Sequence, residues 1–198
     1  MPRQMPAHYR WLVALIIGVA PSTQAQNPFV PSADVVFTVR TDQRHYEIGE
    51  DITVHYTIKN VSNGPIYVPK AQWDISCRSN PHLWGVLEDT AGKHFEPGFG
   101  GSCMHPNRAD QMTISERMQE DAVLLKPGQL VSGSYPLPMS VFGKSLEPGA
   151  YRLEAILYGW NLDYSESELT ELKTMRAPFL GGESNAVVLI ELKNPAKL

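Results

Sequence analysis

The chain has 198 residues, and 42% of them are hydrophobic, which is enough to bury the core of one domain. Its 17 basic and 21 acidic side chains give a net charge of −4. That balance argues against nucleic-acid binding, which depends on clustered Lys and Arg side chains that neutralise phosphates.

Residues 1–25 have the pattern of a secretory signal peptide. Arg3 and Arg10 precede an apolar run that begins at Trp11, and the small-residue pattern Thr23-Gln24-Ala25 follows the run. The run is about half as long as the roughly 20 residues of a membrane-spanning helix. We expect cleavage after Ala25, which removes two arginines and no acid and lowers the net charge to about −6. The mature chain is then exported, periplasmic or secreted, and has no transmembrane segment.

After a linker at residues 26–33, residues 34–194 are predicted to form one domain. Period-two alternation predicts strands in "DVVFTVR" and "YEIGEDITVHYTIKN", because successive strand side chains point to opposite faces. The inward positions predicted for these two strands are Val35, Phe37, Val39, Ile52, Val54, Tyr56 and Ile58. The turn "VSNGP" at residues 61–65 is expected to reverse the chain into a short partner strand, "IYVP".

Residues 70–120 differ in texture and are predicted to be an insertion in the domain. "WGVLEDTAGKHFEP" is typical of a hairpin, whereas residues 98–111, "GFGGSCMHPNRADQ", are rich in Gly, Pro and polar residues and predict a loop.

The C-terminal third returns to the strand pattern. Extended segments are predicted in "LKPGQLVSGSYPLP", in "LEPGAYRLEAILYGW", where Tyr151 and Leu153 face inward, and in "SNAVVLIELKN". One short helix is predicted in "YSESELTELKTM", because Ser165 and Glu168 have the spacing of a capping box. Short strands separated by Pro-Gly and Asn-Gly turns predict an all-β, antiparallel sandwich.

Two phrases resemble those of a known group of domains. "YEIGEDITVHYTIKNVSNGPIYV" is similar to the early strands of bacterial immunoglobulin-like domains, and "LEPGAYRLEAILYGW" is similar to their late strand. The same phrases resemble macroglobulin-type, cell-adhesion-type and BsuPI-like proteinase-inhibitor domains. The resemblance implies an immunoglobulin-like sandwich over roughly residues 34–69 and 122–193, and it implies architecture more than any activity.

Cys77 and Cys103 are the two cysteines of the chain. Export to an oxidising compartment favours a disulfide between them, which would tie the insertion. A reactive thiol with a nearby His is the alternative.

His82, His94 and His105 share the insertion with Met104 and Met112. Imidazole and thioether groups suit copper, so an exported metal-dependent enzyme or copper-handling protein is one hypothesis. The alternative is that these are surface loop residues.

Three tryptophans, Trp73, Trp84 and Trp160, are weak candidates for partner contacts, since aromatic residues are enriched at interfaces. Packing is the alternative role. The acidic turn Glu47, Glu50 and Asp51 is interpreted as solvated rather than calcium-binding, and Asn60-Val61-Ser62 matches a glycosylation sequon.

The function that these patterns favour is a non-enzymatic interaction or accessory module without a cofactor. A protein or glycan partner is expected to contact the insertion at 70–120 rather than the sheet faces, because function commonly resides in loops. A proteinase inhibitor is the alternative within the binding class.

Overall fold

The computed structural model describes residues 27–70, 83–97, 112–142, 146–160 and 164–195, and these residues are mostly in strands. In chain order the strands are β1 (Phe29–Val30), β2 (Val35–Thr41), β3 (His45–Glu47), β4 (Ile52–Asn60), β5 (Ile66–Pro69), β6 (Leu83–Asp89), β7 (His94–Phe95), β8 (Ala122–Leu125), β9 (Leu130–Leu137), β10 (Gly149–Tyr158), β11 (Phe179–Leu180) and β12 (Glu183–Lys193). Two helices, α1 (Ile114–Glu120) and α2 (Glu166–Leu172), and two short 3-10 turns, Ser32–Asp34 and Met139–Phe142, complete the described part.

Two of the sheets share the main hydrophobic core. One has the strand order β3-β12-β10-β6-β7 and the other has the order β2-β4-β9. Their inward side chains alternate with outward ones along each strand, as the pleat requires. Ile58 from β4 and Leu153 from β10 are fully buried in this core, together with Leu83 and Leu87 from β6.

The third sheet has the order β1-β11-β5-β8 and builds a second core against the helices. Tyr67 and Phe179 stack with 4.8 Å between ring centroids. Leu172 from α2 and Met118 from α1 are buried over them. The two helices are linked because Ser115 donates from both its amide and its hydroxyl to the carboxylate of Glu171.

Several predicted features are confirmed. Ile58 is buried and Lys59 is exposed, so the predicted register of β4 is correct, and the inward positions of β10 are also as predicted. β6 and β7 pair as the expected hairpin. α2 begins after Ser165, whose hydroxyl accepts the amide of Glu168 in the predicted capping box.

The predicted pairing of β5 is wrong. β4 pairs with β2 and β9, whereas β5 pairs with β8 and β11 in another sheet. The buried side chain of Asn60 explains the change of sheet, because its amide nitrogen donates to the carbonyls of Gly64, at 2.8 Å, and Leu125, at 2.9 Å. These bonds hold the turn at 61–65 so that the chain leaves the sheet of β4.

The structure also differs from the expectation of one helix and purely antiparallel strands. α1 was not predicted, although Thr113 and Glu116 form a capping box like that of α2. The pairings β1–β11, β11–β5 and β12–β3 are parallel, and each is only one to three residues long. Segments this short carry too few side chains for alternation to indicate a partner.

Two segments that the sequence analysis placed outside the sandwich contain strands. Phe29 and Val30, placed in the linker at 26–33, form β1 and pair with β11. Part of the insertion at 70–120 is built into the five-stranded sheet, because β6 pairs with β10 from Leu83 to Asp89.

The predicted signal peptide at 1–25 and the predicted pairing of Cys77 with Cys103 concern residues outside the described ranges. Across the five described ranges, no helix has the length and apolar character needed to cross a membrane.

Candidate functional site

The outer face of the five-stranded sheet, the face turned away from the main core, is the candidate site. We define it by the outward residues of β6, β10 and β12 and by Glu96, which follows β7. Strand register sets these residues in rows: Trp84, Ile156 and Asn185 form one row, and Val86, Glu154 and Val187 form the next.

The outer face carries exposed apolar side chains around Glu154. Leu189 is 62% exposed and Val187 is 43% exposed on β12, while Trp84 and Ile156 on the same face are partly exposed. Large aliphatic side chains that remain this open lose contact with water when another surface covers them, which is favourable by about 25 cal/mol per Å² of apolar area. The face is therefore suited to contact with a partner.

The outer face also carries three carboxylates. Burial raises the pKa of the Tyr158 phenol, and the neighbouring carboxylates of Glu183, Glu96 and Glu154 raise it further. Within the described residues these three carboxylates form no ion pair, and Glu154 only accepts a hydrogen bond from the Asn185 amide, at 3.1 Å. The outer face therefore carries carboxylates that, among the described residues, have no ion-pair partner.

At the end of the outer face that includes Arg152 and His45, the charged side chains form ion pairs with each other. Arg152 Nη1 lies 3.0 Å from Glu88 Oε2, and His45 Nε2 lies 3.0 Å from Glu191 Oε2 on the adjacent strand. A shallow cleft of about 230 Å³ adjoins Arg152 and Leu189. Charges that already have partners have less to gain from a ligand than Glu154 and Glu183, which form no ion pair within the described residues.

A second cleft, of about 550 Å³, lies at the edge formed by β3 and includes the acidic turn. The turn is internally hydrogen-bonded: the Glu50 carboxylate accepts the Glu47 amide at 2.8 Å and the Gln43 side-chain amide. The Tyr46 hydroxyl donates to Asp42, which helps to raise the pKa of Tyr46 to about 12, after burial as the largest cause. The same bond lowers the pKa of Asp42. These bonds shape the turn and engage the Glu50 carboxylate.

The predicted site residues do not converge in the described part of the chain. His94 is exposed on β7 opposite Glu88, while His82, His105, Trp73, Cys77 and Cys103 lie outside the described residues. Among the residues described, no group of three or more His, Cys, Asp or Glu side chains is close enough to hold a metal ion. The copper hypothesis stays a prediction that metal analysis of the purified protein decides.

The three tryptophans have different outcomes. Trp160 is buried in the second core, with its ring edge-on to Phe179 at 5.1 Å between centroids, so it is a packing residue. Trp84 lies on the outer face, as the pattern of β6 requires. Of the two candidate tryptophans within the described residues, Trp84 is thus the one that the fold brings to the surface.

The predicted sequon residue Asn60 is unsuited to modification in the folded chain. Its side chain is 0% exposed, and both N–H groups donate to carbonyls. Attachment of a glycan would remove these bonds from a buried amide.

Sequence reasoning missed Ile156, Val187, Leu189, Glu154 and Glu183 as site residues. The run "AVVLI" in β12 indicates an exposed apolar patch, because a strand that is apolar at consecutive positions must place half of those side chains outward. The pairing with β10 shows that Val187 and Leu189 are the outward side chains. Their exposure shows that no described element covers them.

No protein-family model matches the chain, and no curated protein matches it. Among solved structures, it is similar to a β-glucosidase from Erythrobacter marinus, at 12% identity and a TM-score of 0.39, over 80% of this chain and 15% of that one. A Pseudomonas fluorescens alkylpurine DNA glycosylase bound to DNA is similar at 11% identity and a TM-score of 0.35, over 81% of this chain and 30% of that one. The yjhA protein from Bacillus subtilis has 14% identity and a TM-score of 0.30, over 81% of this chain and 92% of that one.

The chain spans less than a fifth of the length of the β-glucosidases that it resembles. At these TM-scores the likenesses carry no argument about activity.

Proposed function

We propose that the protein is an exported, non-enzymatic interaction module with an immunoglobulin-like sandwich fold. The facing three- and five-stranded sheets around one core support this fold, as does the resemblance of the early and late strand phrases to immunoglobulin-like domains. The signal-peptide pattern of residues 1–25 supports export. A disulfide between Cys77 and Cys103 belongs to the same proposal.

The outer face of the five-stranded sheet is the proposed contact surface, and the exposure of Val187 and Leu189 on the same face as Trp84 is the observation that carries it. Trp84 comes from the predicted insertion at 70–120. The sequence analysis expected a partner to contact the insertion rather than a sheet face. For residues 83–95 the two surfaces are the same, because this part of the insertion forms β6 and β7 of the five-stranded sheet.

A protein partner fits this surface better than a glycan. Aliphatic side chains next to a tryptophan match the centre of a protein–protein interface, where charged residues are depleted and aromatic ones enriched. The charged side chains of Glu154 and Arg152 then lie among the apolar ones and fix the orientation of the partner.

The test compares two double variants of the exported protein. Val187→Ser with Leu189→Ser changes the outer face, while Val36→Ser with Leu130→Ser changes equally exposed residues, 45% and 56%, on the three-stranded sheet. We expect the first variant to lose a partner that wild type recovers by cross-linking in the exported fraction, and the second to keep it. A partner lost only in the second variant would contradict the proposed surface. Unchanged unfolding free energies would show that both variants remain folded.

A further inference from the structure

β9 is an edge strand of the three-stranded sheet, and the ladder with β4 shows where its backbone groups point. The Asn60 amide donates to the Gln129 carbonyl at 3.0 Å, so these two residues form a hydrogen-bonded pair. Such pairs alternate along an antiparallel ladder, so the odd-numbered residues of β9 bond to β4. Leu130, Ser132 and Ser134 therefore point their N–H and C=O groups away from β4, where no strand of the described ranges pairs with them.

The middle of this edge has none of the usual protection. Sheet edges are commonly protected by charged side chains, by proline, by bulges or by being very short. The edge strands β1, β3, β7 and β8 have two to four residues, and β2 carries Arg40. β9 has eight residues, none of them charged. Its protection lies at its ends, where Gly128 and Gln129 form a bulge opposite Asn60 and where Pro136 lacks an N–H.

We propose that the open edge of β9 pairs with the same edge of a second copy of this chain, antiparallel and about a two-fold axis at Ser132. In this register Ser132 faces Ser132 of the second copy, and Leu130 faces Ser134 of the second copy. Each facing pair exchanges both N–H···O=C bonds, because the outward groups of both copies lie at the same even-numbered positions. This edge is separate from the outer face of the five-stranded sheet.

The two ends of β9 select this register. A shift by two residues in one direction sets Ser134 against Gly128, whose N–H already donates to Asn60 at 2.9 Å. A shift in the other direction sets Leu130 against Pro136, which has no N–H to donate. The symmetric register avoids both losses, so the bonding capacity of the open edge is matched best by its own copy.

The charges near this edge also permit self-pairing. The charged or titratable neighbours on the outward side of β4 are Lys59, beside Leu130, and His55, beside Ser134. In the paired sheet, Lys59 and His55 of the second copy lie three strand spacings apart, about 14 Å. That distance exceeds the screening length of about 8 Å at physiological salt, so the pairing brings no like charges together.

The inward side chains gain apolar contact from the same register. Val131 faces Gly133 of the second copy, and within each chain the Tyr56 ring lies directly over Gly133. Val131 and Tyr56 are both partly exposed in the single chain. Val131 therefore packs against the Tyr56 ring of the second copy, which removes apolar surface from water.

Sedimentation equilibrium of the full mature chain tests the pairing. We expect a monomer–dimer equilibrium that Ser132→Lys weakens about tenfold, because two lysines then face each other across the axis. Thr38→Lys is the matched control, since Thr38 is exposed in the same row of the sheet but lies on β2. An equal mixture of Ser132→Lys and Ser132→Glu is expected to recover the dimer, which damage to the fold would not allow. Wild type that stays monomeric up to about 1 mM, equal loss in Ser132→Lys and Thr38→Lys, or no recovery in the mixture would overturn the inference.

Cysteine cross-linking tests the register. Facing residues of a hydrogen-bonded pair have Cα atoms about 5.5 Å apart, within the range of a disulfide. Ser132→Cys is therefore expected to give a disulfide-linked dimer under mild oxidation. Leu130→Cys, on the same edge, is expected to give none, because its Cα atoms in the two copies lie roughly 14 Å apart. Equal cross-linking at both positions, or none at position 132, would overturn the inference, and the second result would leave the edge to a strand of a different protein.

Discussion

At the scale of single residues, Asn60 and Tyr46 show how polar groups direct this fold. Asn60 is fully buried, and its amide satisfies carbonyls on two chain segments while its oxygen accepts the amide and hydroxyl of Ser62. The Tyr46 hydroxyl donates to Asp42 and accepts the Gln43 amide at 3.3 Å. Both residues fix turns that alternation of apolar residues leaves undetermined.

Replacement of Asn60 by Asp is expected to destabilise the protein by about 3 kcal/mol, because a carboxylate cannot donate to the carbonyls of Gly64 and Leu125. Asn63, exposed in the same turn, supplies the control, and Asn63→Asp is expected to change stability by less than about 0.5 kcal/mol. Urea unfolding measures both. Equal losses would mean that the buried amide has no special role.

Tyr46→Phe is expected to lower stability in a manner that depends on pH. The pKa of Tyr46 is raised to about 12 in the folded state, so its contribution is complete below pH 10 and is lost as the pH rises towards 12. The pKa of Asp42 is lowered, so its contribution is present above its ordinary pKa near 3.8 and is lost as the pH falls through the folded value. The difference in unfolding free energy between wild type and Tyr46→Phe should therefore be constant from about pH 5 to 9 and shrink at higher pH. A difference that grows above pH 10 would contradict the assignment.

At the scale of elements, long alternating segments were predictable and short ones were not. The pattern of Ile52, Val54 and Ile58 correctly assigned the buried face of β4, and Tyr151, Leu153 and Ala155 did the same for β10. β1, β3 and β11 have two or three residues each, and tertiary pairing rather than pattern decides their sheet. α1 was missed because a single capping box within a segment rich in polar residues is a weak signal.

The register of β4 predicts opposite outcomes for neighbouring substitutions. Ile58→Asp places a charge without a partner in the main core and is expected to cost more than about 3 kcal/mol. Lys59→Asp changes an exposed side chain and is expected to cost less than about 0.5 kcal/mol. Urea melts of the two variants compare them directly. Similar losses would mean that the register is wrong.

At the scale of the whole molecule, the candidate site depends on sheet order. Trp84, Ile156 and Val187 are far apart in sequence, and they become neighbours only because β10 lies between β6 and β12. The sequence identified Trp84 as an aromatic candidate, but it could not place Ile156 and Val187 on the same face, because that requires the pairing of β6, β10 and β12. The segment 70–120 contributes β6 and β7 to the sheet whose outer face is the proposed contact surface.

The proposed disulfide is tested on the mature chain. Thiol titration of the unfolded, unreduced protein is expected to find no free thiol, because export to an oxidising compartment favours a disulfide between Cys77 and Cys103. Reduction before titration should release two thiols per chain and serves as the control. Two thiols without reduction would remove the disulfide and restore the alternative of a reactive cysteine.

The central claim is that the outer face of the five-stranded sheet contacts a partner protein, and site-specific photo-cross-linking tests it most directly. A photo-reactive amino acid is placed at Val187, on the outer face, or at Val36, on the three-stranded sheet, since both positions are exposed to a similar extent, 43% and 45%. Irradiation in the native exported compartment is predicted to give a discrete cross-linked protein from position 187 and none from position 36. The same product from both positions, or a product from position 36 alone, would contradict the claim.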